Sequence, residues 1–176
     1  MSADELIARA RAVKVLIFDV DGVLTDGSLF FGDDGQEYKA FNSRDGHGIK
    51  MLRDSGVESA ILTGRSSQVV LHRARNLGIV RVVQGAHDKL AAYEAMLAET
   101  GLTPKQTAYM GDDLVDLPVL RRCGLACTVA DAPEEVLARA HYVARAGAGH
   151  GAAREVCELI MRAQGTWAGQ IALYDR

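Results

Sequence analysis

The 176-residue sequence has few cysteines and no long apolar run. Its three cysteines form neither an even disulfide framework nor a Cys-x-x-Cys pair, which favours buried thiols over disulfides, metal sites or redox motifs. No segment approaches the roughly 18 to 20 continuous apolar residues that cross a bilayer, and the first twelve residues lack the apolar core of a signal peptide. We therefore expect a cytoplasmic protein that does not contact a membrane.

A basic excess is also missing. The chain carries 20 Lys and Arg residues against 23 Asp and Glu residues, a formal net charge of -3 at pH 7. Nucleic-acid binders need a basic face to neutralise phosphates, and no Lys/Arg run is present, so we expect no nucleic-acid partner. Hydrophobic residues make up 48% of the chain and charged residues 24%, values that disfavour disorder. This length predicts one domain over residues 1–176.

Short apolar runs alternate with stretches of helical periodicity. The run 13–20 is rich in β-branched residues without alternation, which is typical of a central strand in a parallel sheet. Further strands are predicted over 57–62, 80–83, 107–110, 125–129 and 142–144, and helices over 45–54, 66–77, 89–100, 114–122, 133–139 and 152–164. Alternation at this pitch indicates βαβ units, and hence an α/β fold with a doubly wound parallel sheet.

Residues 27–41 break this alternation. Two aromatic-rich runs flank Gly-Asp-Asp-Gly at 32–35, which predicts a projecting β-hairpin. The hairpin carries more apolar surface than a free hairpin should show to water: Leu29, Phe30, Phe31, Tyr38 and Phe41. Either it folds onto its own domain or it meets another subunit. The tail at 165–176 has no strong pattern.

Polar side chains collect where the predicted parallel strands end. In an open parallel sheet, the carboxyl ends of the strands form the edge that bears the functional site. The residues at this edge are Asp19, Asp21, Thr63, Gly64, Arg65, Lys89, Asp112, Asp113 and Asp116. Separate segments thus bring several carboxylates, one hydroxyl and one ammonium group to the same place.

Carboxylates packed together raise one another's pKa values unless a cation is present. An oxygen-only set without a convincing His or Cys partner favours a hard ion, and Mg²⁺ fits better than Ca²⁺ because no Ca²⁺-binding loop occurs. Metal, carboxylate, lysine and hydroxyl together indicate phosphoryl transfer.

These residues carry a family resemblance. The run DVDGVLTDG at 19–27 resembles the first motif of the haloacid dehalogenase phosphatase superfamily. LTGR at 62–65 resembles the second motif, Lys89 the third and GDDLVD at 111–116 the fourth. All four occur in order and cover most of the chain, so the chain is identified as similar to this superfamily.

The resemblance implies a catalytic role for four residues. Asp19 would be the nucleophile that forms an aspartyl-phosphate, and Asp21 the general acid that then activates water. Thr63 would hydrogen-bond a phosphoryl oxygen. Lys89 would pair with Asp19 and with the phosphoryl group.

The resemblance also implies a ligand set for Mg²⁺. Asp112 would bind the ion together with the Asp19 carboxylate and the backbone carbonyl of Asp21. Asp113 and Asp116 would support these ligands.

Within the superfamily, the hairpin and the runs at 39–52 and 149–160 resemble capless sugar-acid phosphatases. The implied substrate is 3-deoxy-D-manno-octulosonate 8-phosphate, in a step that supplies lipopolysaccharide precursor, with substrate contacts from Gly64, Arg65 and Arg73. Such proteins form homotetramers through the hairpin. Only about twenty residues separate the first strand from the next helix, too few for a cap domain, so a neighbouring subunit is the expected lid.

Three alternatives stay open. A nine-carbon, sialic-acid-like phosphate is a second substrate class, because related capless phosphatases share these motifs. A non-catalytic oligomerisation module is another, although the intact motif residues disfavour it. A two-component receiver domain also combines acidic residues, Thr and Lys on an α/β sheet, but it lacks the role implied for Asp21.

Overall fold

The computed structural model describes all residues, 1–176, as strands and helices in alternation. The strands are β1 (Val15–Phe18), β2 (Phe30–Phe31), β3 (Glu37–Tyr38), β4 (Glu58–Leu62), β5 (Arg81–Val83), β6 (Thr107–Met110), β7 (Leu125–Val129) and β8 (Tyr142–Ala144). The helices are α1 (Ala3–Ala12), α2 (Ser43–Asp54), α3 (Gln68–Leu77), α4 (Lys89–Thr100), α5 (Leu117–Leu120), α6 (Glu134–Leu137), α7 (Ala152–Ala163) and α8 (Trp167–Ala172). Two 3₁₀ helices span Pro104–Gln106 and Leu114–Asp116.

Six of the strands form one parallel sheet, in the order β5-β4-β1-β6-β7-β8. From β1 the chain moves outward through β4 to β5, and it then crosses back to β6 and moves outward through β7 to β8. The direction therefore reverses between β1 and β6, which are neighbours with Phe18 paired to Met110. Ligands in open parallel sheets bind at such a reversal, outside the carboxyl ends of the strands. The predicted α/β class and doubly wound sheet are confirmed.

The central strands are built for burial on both faces. All four residues of β1 are buried, as are all four of β6 and all five of β7. A strand covered by helices on both sides has no polar face, which is why these segments show no alternation. The sheet core thus gives a rigid base to the loops that follow β1 and β6.

The hairpin is present as a separate two-stranded antiparallel sheet of β2 and β3. Its strands are only two residues long, shorter than the predicted span, and its turn uses a positive φ at Gly35. Four of its five apolar side chains are exposed: Leu29, Phe30, Phe31 and Tyr38. Phe41 instead packs against the hydrophobic core.

Two elements at the chain ends were not predicted. The first is α1, which begins at a capping box: the Ser2 side chain accepts a hydrogen bond from the Glu5 amide, and the Glu5 carboxylate accepts one from the Ser2 amide. The second is the short helix α8 in the tail. None of the helices is long and apolar enough to cross a membrane. The three cysteines are free and buried, as predicted.

Candidate active site

The site lies where the sheet reverses direction, at the carboxyl ends of β1, β4 and β6. Asp19 directly follows β1, Thr63 directly follows β4, and Asp112 follows β6 after one glycine. Because β1 pairs with both β4 and β6, the three segments are held side by side by the backbone ladder. Chain segments far apart in the sequence thus reach one edge.

Lys89 bridges two of the carboxylates. Its Nζ donates to Asp19 Oδ2 and to Asp116 Oδ1, both at 2.6 Å, and all three side chains are buried. Burial alone would lower the pKa of Lys89, but the facing carboxylates of Asp19 and Asp116 raise it, so the ammonium group stays charged. Asp19 Oδ1 also accepts the Val20 amide at 2.7 Å.

Asp116 is the anchor of the loop after β6. Its Oδ1 accepts from Lys89 and from the hydroxyl of Tyr109 at 2.5 Å. Its Oδ2 accepts the backbone amides of Asp112 and Asp113 at 3.0 and 3.1 Å. Burial, followed by the charge of Asp116, raises the pKa of Tyr109 well above its usual value, so this phenol remains a donor. With both oxygens occupied, Asp116 positions its neighbours.

Asp112 differs from Asp116 in that its carboxylate lies close to like charges and has few hydrogen-bond partners. Its Oδ1 is buried with no hydrogen-bond partner. A Cβ built on Gly22 would lie 2.0 Å from Asp112 Oδ2, so only a glycine, here with φ +83°, lets the loop after β1 approach this close. Burial and the charges of Asp116 and Asp19 raise the pKa of Asp112 to about 7.

These features fit a divalent cation. Oxygens of Asp19, Asp112 and Asp116 lie within 4.8 Å of one another. The carboxylate of Asp112, with one oxygen buried and unpartnered and with like charges around it, is a group that a hard cation would stabilise. Because Asp116 already accepts four hydrogen bonds, Asp19 and Asp112 are the carboxylates that fit the ion, and oxygen-only donors fit Mg²⁺.

Asp21 lies beside two basic residues, Lys39 and Arg65. Its Oδ1 accepts from Lys39 Nζ at 2.5 Å, and Arg65 Nε lies 3.7 Å from its Oδ2. Glu37, in β3 of the hairpin, accepts from Arg65 Nη2 at 2.9 Å and lies 3.2 Å from Lys39 Nζ. The hairpin therefore contacts the loop that follows β1.

The remaining predicted residues divide between the site and its periphery. Thr63 is only 2% exposed, and its amide donates to Val83 in β5, which fixes the loop after β4; Gly64 follows it. Asp113 caps the 3₁₀ helix by accepting the Leu114 amide at 2.7 Å.

Arg73 makes no ion pair or hydrogen bond with the carboxylates of the site. Its guanidinium donates to the carbonyl of Asn42 at 3.0 Å and lies over the ring of Phe41. It thus packs against the start of α2. A substrate contact from Arg73 stays a prediction.

Sequence reasoning missed three residues of this site: Glu37, Lys39 and Tyr109. Tyr109 lies inside a strand of mostly apolar residues, and Lys39 begins the run 39–52, which carries a family resemblance but assigns no role to the lysine. The alternation of charged residues at 37 and 39 around an aromatic residue at 38 was the available sign that two side chains share one face.

Comparison with known proteins supports the same interpretation. The profile of the haloacid dehalogenase-like hydrolases matches residues 74–156. The 3-deoxy-D-manno-octulosonate 8-phosphate phosphatase KdsC of Yersinia pestis is 48% identical over 97% of this chain and 91% of its own length. The chain belongs to the KdsC family. The KdsC protein of Escherichia coli K12 is 47% identical, over 94% of this chain and 87% of its own length.

A solved structure of the KdsC family extends the likeness to three dimensions. It is the 3-deoxy-D-manno-octulosonate 8-phosphate phosphatase of Moraxella catarrhalis in complex with a magnesium ion, a phosphate ion and a KDO molecule. Its TM-score with this chain is 0.96 at 40% identity, covering 98% of this chain and 99% of the other. That relative binds Mg²⁺, phosphate and the sugar acid on this fold.

Proposed function

We propose that the protein hydrolyses 3-deoxy-D-manno-octulosonate 8-phosphate to 3-deoxy-D-manno-octulosonate and phosphate, with Mg²⁺, as a step of lipopolysaccharide precursor synthesis. The observation that carries the proposal is the ion pair of buried Asp19 and Lys89 beside the half-buried Asp112, at the reversal of the sheet. The KdsC relatives, at 47–48% identity over nearly the whole chain, support the choice of substrate.

In the first step, an oxygen of Asp19 attacks the phosphorus atom. The bond from phosphorus to the sugar oxygen breaks as the new bond from phosphorus to the Asp19 oxygen forms. Asp21 gives its proton to the leaving oxygen, so the sugar acid departs as an alcohol. Lys89 keeps its charge beside Asp19 and faces the negative charge of the transferring group.

In the second step, the aspartyl-phosphate is hydrolysed. Asp21, now a carboxylate, takes a proton from water, and the water oxygen attacks phosphorus. The bond between phosphorus and the Asp19 oxygen breaks at the same time. Phosphate leaves, and Asp19 and Asp21 return to their starting states. Thr63, at the end of β4, would hydrogen-bond a phosphoryl oxygen.

The cation would be held by the carboxylates of Asp19 and Asp112 and the backbone carbonyl of Asp21, with Asp113 and Asp116 shaping the loop. When bound, Mg²⁺ neutralises the crowded carboxylates and the phosphoryl oxygens. Gly64 and Arg65, at the rim beside the hairpin, would contact the sugar acid, and Arg73 would contribute a further cation.

A homotetramer that assembles through the hairpin belongs to the same proposal. Phe31 and Tyr38 are 60% and 54% exposed on one small sheet, which favours burial against another subunit. The expected result for Phe31→Ser is a smaller particle by light scattering with an unchanged circular dichroism spectrum. A wild-type monomer would contradict the assembly.

We infer a cytoplasmic location because three free cysteines suit a reducing compartment; cell fractionation tests this.

The decisive experiment measures phosphate release from a panel of esters. The panel holds 3-deoxy-D-manno-octulosonate 8-phosphate, a nine-carbon sugar-acid phosphate and several hexose phosphates, each with Mg²⁺ and with chelator. Wild type is compared with Asp19→Asn, and Asp131→Asn, at an exposed aspartate outside the site, serves as a matched change of charge.

We expect preference for the eight-carbon ester and loss of activity with chelator and with Asp19→Asn. Metal-dependent preference for the nine-carbon ester would support the proposed mechanism but contradict the proposed substrate. Full activity of Asp19→Asn would contradict the assignment of Asp19 as the nucleophile. No turnover of any ester would favour a non-catalytic module.

A further inference from the structure

A buried lysine at the end of the hairpin, Lys39, contacts the proposed general acid, Asp21. Lys39 Nζ lies 2.5 Å from Asp21 Oδ1 and 3.2 Å from Glu37 Oε1, and the Lys39 side chain is 0% exposed. Exposed ion pairs contribute little and are often incidental, whereas a buried lysine is costly unless its partners compensate it. Lys39 is compensated by two carboxylates, one of them on the hairpin itself.

Glu37 fixes the lysine from the other side. Arg65 Nη2 donates to Glu37 Oε1 at 2.9 Å, so Glu37 is held by a cation from the loop after β4. Burial would raise the pKa of Glu37, but hydrogen bonds from Ser67, Arg65 and Lys39 outweigh it and lower the pKa to about 2. Lys39 therefore lies between two carboxylates, and one of them, Glu37, is also held by Arg65.

The two oxygens of Asp21 are consequently unequal. Oδ1 accepts the hydrogen bond from Lys39. Oδ2 is buried and has no hydrogen-bond partner, with Arg65 Nε at 3.7 Å, beyond hydrogen-bond distance. A carboxylate gripped through one oxygen is restrained in rotation and leaves the other oxygen for proton transfer.

We propose that Lys39 is a positioning residue: it holds Asp21 through Oδ1 and so assigns Oδ2 as the oxygen that exchanges the proton with the leaving group. This inference rests on the proposed function, because it concerns the acid of that reaction. Glu37 acts through Lys39. Neither residue needs to touch the substrate for this role.

The test compares kcat and KM for Lys39→Met, Lys39→Arg and Glu37→Gln on 3-deoxy-D-manno-octulosonate 8-phosphate with Mg²⁺. General acid–base catalysis contributes about 10²–10⁴-fold, so a loosely held acid should lower kcat about 10- to 100-fold with KM within about 3-fold. Arginine keeps a donor and should restore most of kcat. Glu37→Gln should give a smaller loss in the same direction, and Lys14→Met, at an exposed lysine, should change neither constant.

A second comparison separates positioning from a general effect on the fold. In the Asp21→Asn background, Lys39→Met should lower kcat less than about 2-fold further, because residues that act as a unit are not additive. Thermal unfolding of each variant, followed by circular dichroism, checks that the chain folds. If Lys39→Met unfolds, Lys39→Arg and Glu37→Gln carry the same comparison.

The outcomes are distinct. A raised KM with unchanged kcat for Lys39→Met would make Lys39 a substrate contact and overturn the positioning role. Unchanged kcat and KM in an active enzyme, or an equal loss in the Asp21→Asn background, would also overturn it while leaving the proposed function intact. A wild type that hydrolyses no phosphate ester would overturn the proposed function, and the positioning role with it.

Discussion

Replacing Asp116 by asparagine tests whether this residue is an anchor of the loop or a ligand of the metal. The carboxylate accepts four hydrogen bonds, two on each oxygen, and is completely buried. Asparagine has one acceptor oxygen, so one pair of donors loses its partner and faces an amide NH₂ group. Each hydrogen bond to a charged group contributes about 1.5–3 kcal/mol, which gives a loss of about 3–6 kcal/mol for two.

Part of this loss is offset, because the substitution removes a negative charge that raises the pKa values of Asp19 and Asp112. A net loss of about 3–4 kcal/mol in the free energy of unfolding remains, which corresponds to a fall in Tm of about 6–16 °C for a chain of this size. Urea unfolding in chelator measures it without stabilisation from bound metal.

Asp113→Asn is the matched control. It makes the same change of charge in the same loop, but Asp113 is exposed and asparagine also caps a helix, so we expect a change below about 0.5 kcal/mol. A loss under about 1 kcal/mol for Asp116→Asn would refute the anchoring role. Loss of Mg²⁺ affinity without loss of stability in chelator would instead make Asp116 a ligand.

Three further predictions concern the same cluster. Lys89→Met should lower phosphate release by more than about 10²-fold and destabilise the chain by about 3–5 kcal/mol, since two buried carboxylates lose their cation; full activity would contradict it. Without metal, the raised pKa of Asp112, about 7 against an ordinary 3.8, means that its contribution to stability is complete below about pH 4 and is lost as pH rises toward 7. Urea unfolding in chelator should therefore show lower stability at pH 8 than at pH 6. Calorimetry at pH 6.5 in buffers of different ionisation enthalpy should show proton release on Mg²⁺ binding, and an identical heat in all buffers would contradict this.

Much of the fold was predictable because buried segments have characteristic patterns of apolar residues in the sequence. The β-branched run before Asp19 predicted a central strand, and the strand at 107–110 and the helix at 89–100 lie where periodicity predicts them. The helix predicted over 114–122 is instead a 3₁₀ turn followed by α5, because Asp116 turns inward to accept the amides of Asp112 and Asp113. Such a capping turn depends on side-chain hydrogen bonds, which periodicity does not report.

The site was predictable only as far as the backbone dictates it. Strand ends bring Asp19, Thr63 and Asp112 to one edge, and this follows from parallel strand order. The contact of Lys39 with Asp21 depends on how the hairpin folds back, and no local pattern encodes that angle. The hydrogen bond from Arg73 to the carbonyl of Asn42 likewise depends on the packing between α2 and α3.

The hairpin joins two requirements in three consecutive residues. Lys39 contacts Asp21 and Glu37 contacts Lys39, while the side chain of Tyr38 between them is exposed. Because successive residues of a strand face opposite ways, a change in the turn at 32–36 that shifts the pairing of β2 and β3 by one residue exchanges the two faces. The contact of Lys39 with Asp21 therefore depends on the register that this turn sets, although no side chain of the turn makes that contact. Grafting this loop between relatives of the chain should keep that register as well as the residues of the turn.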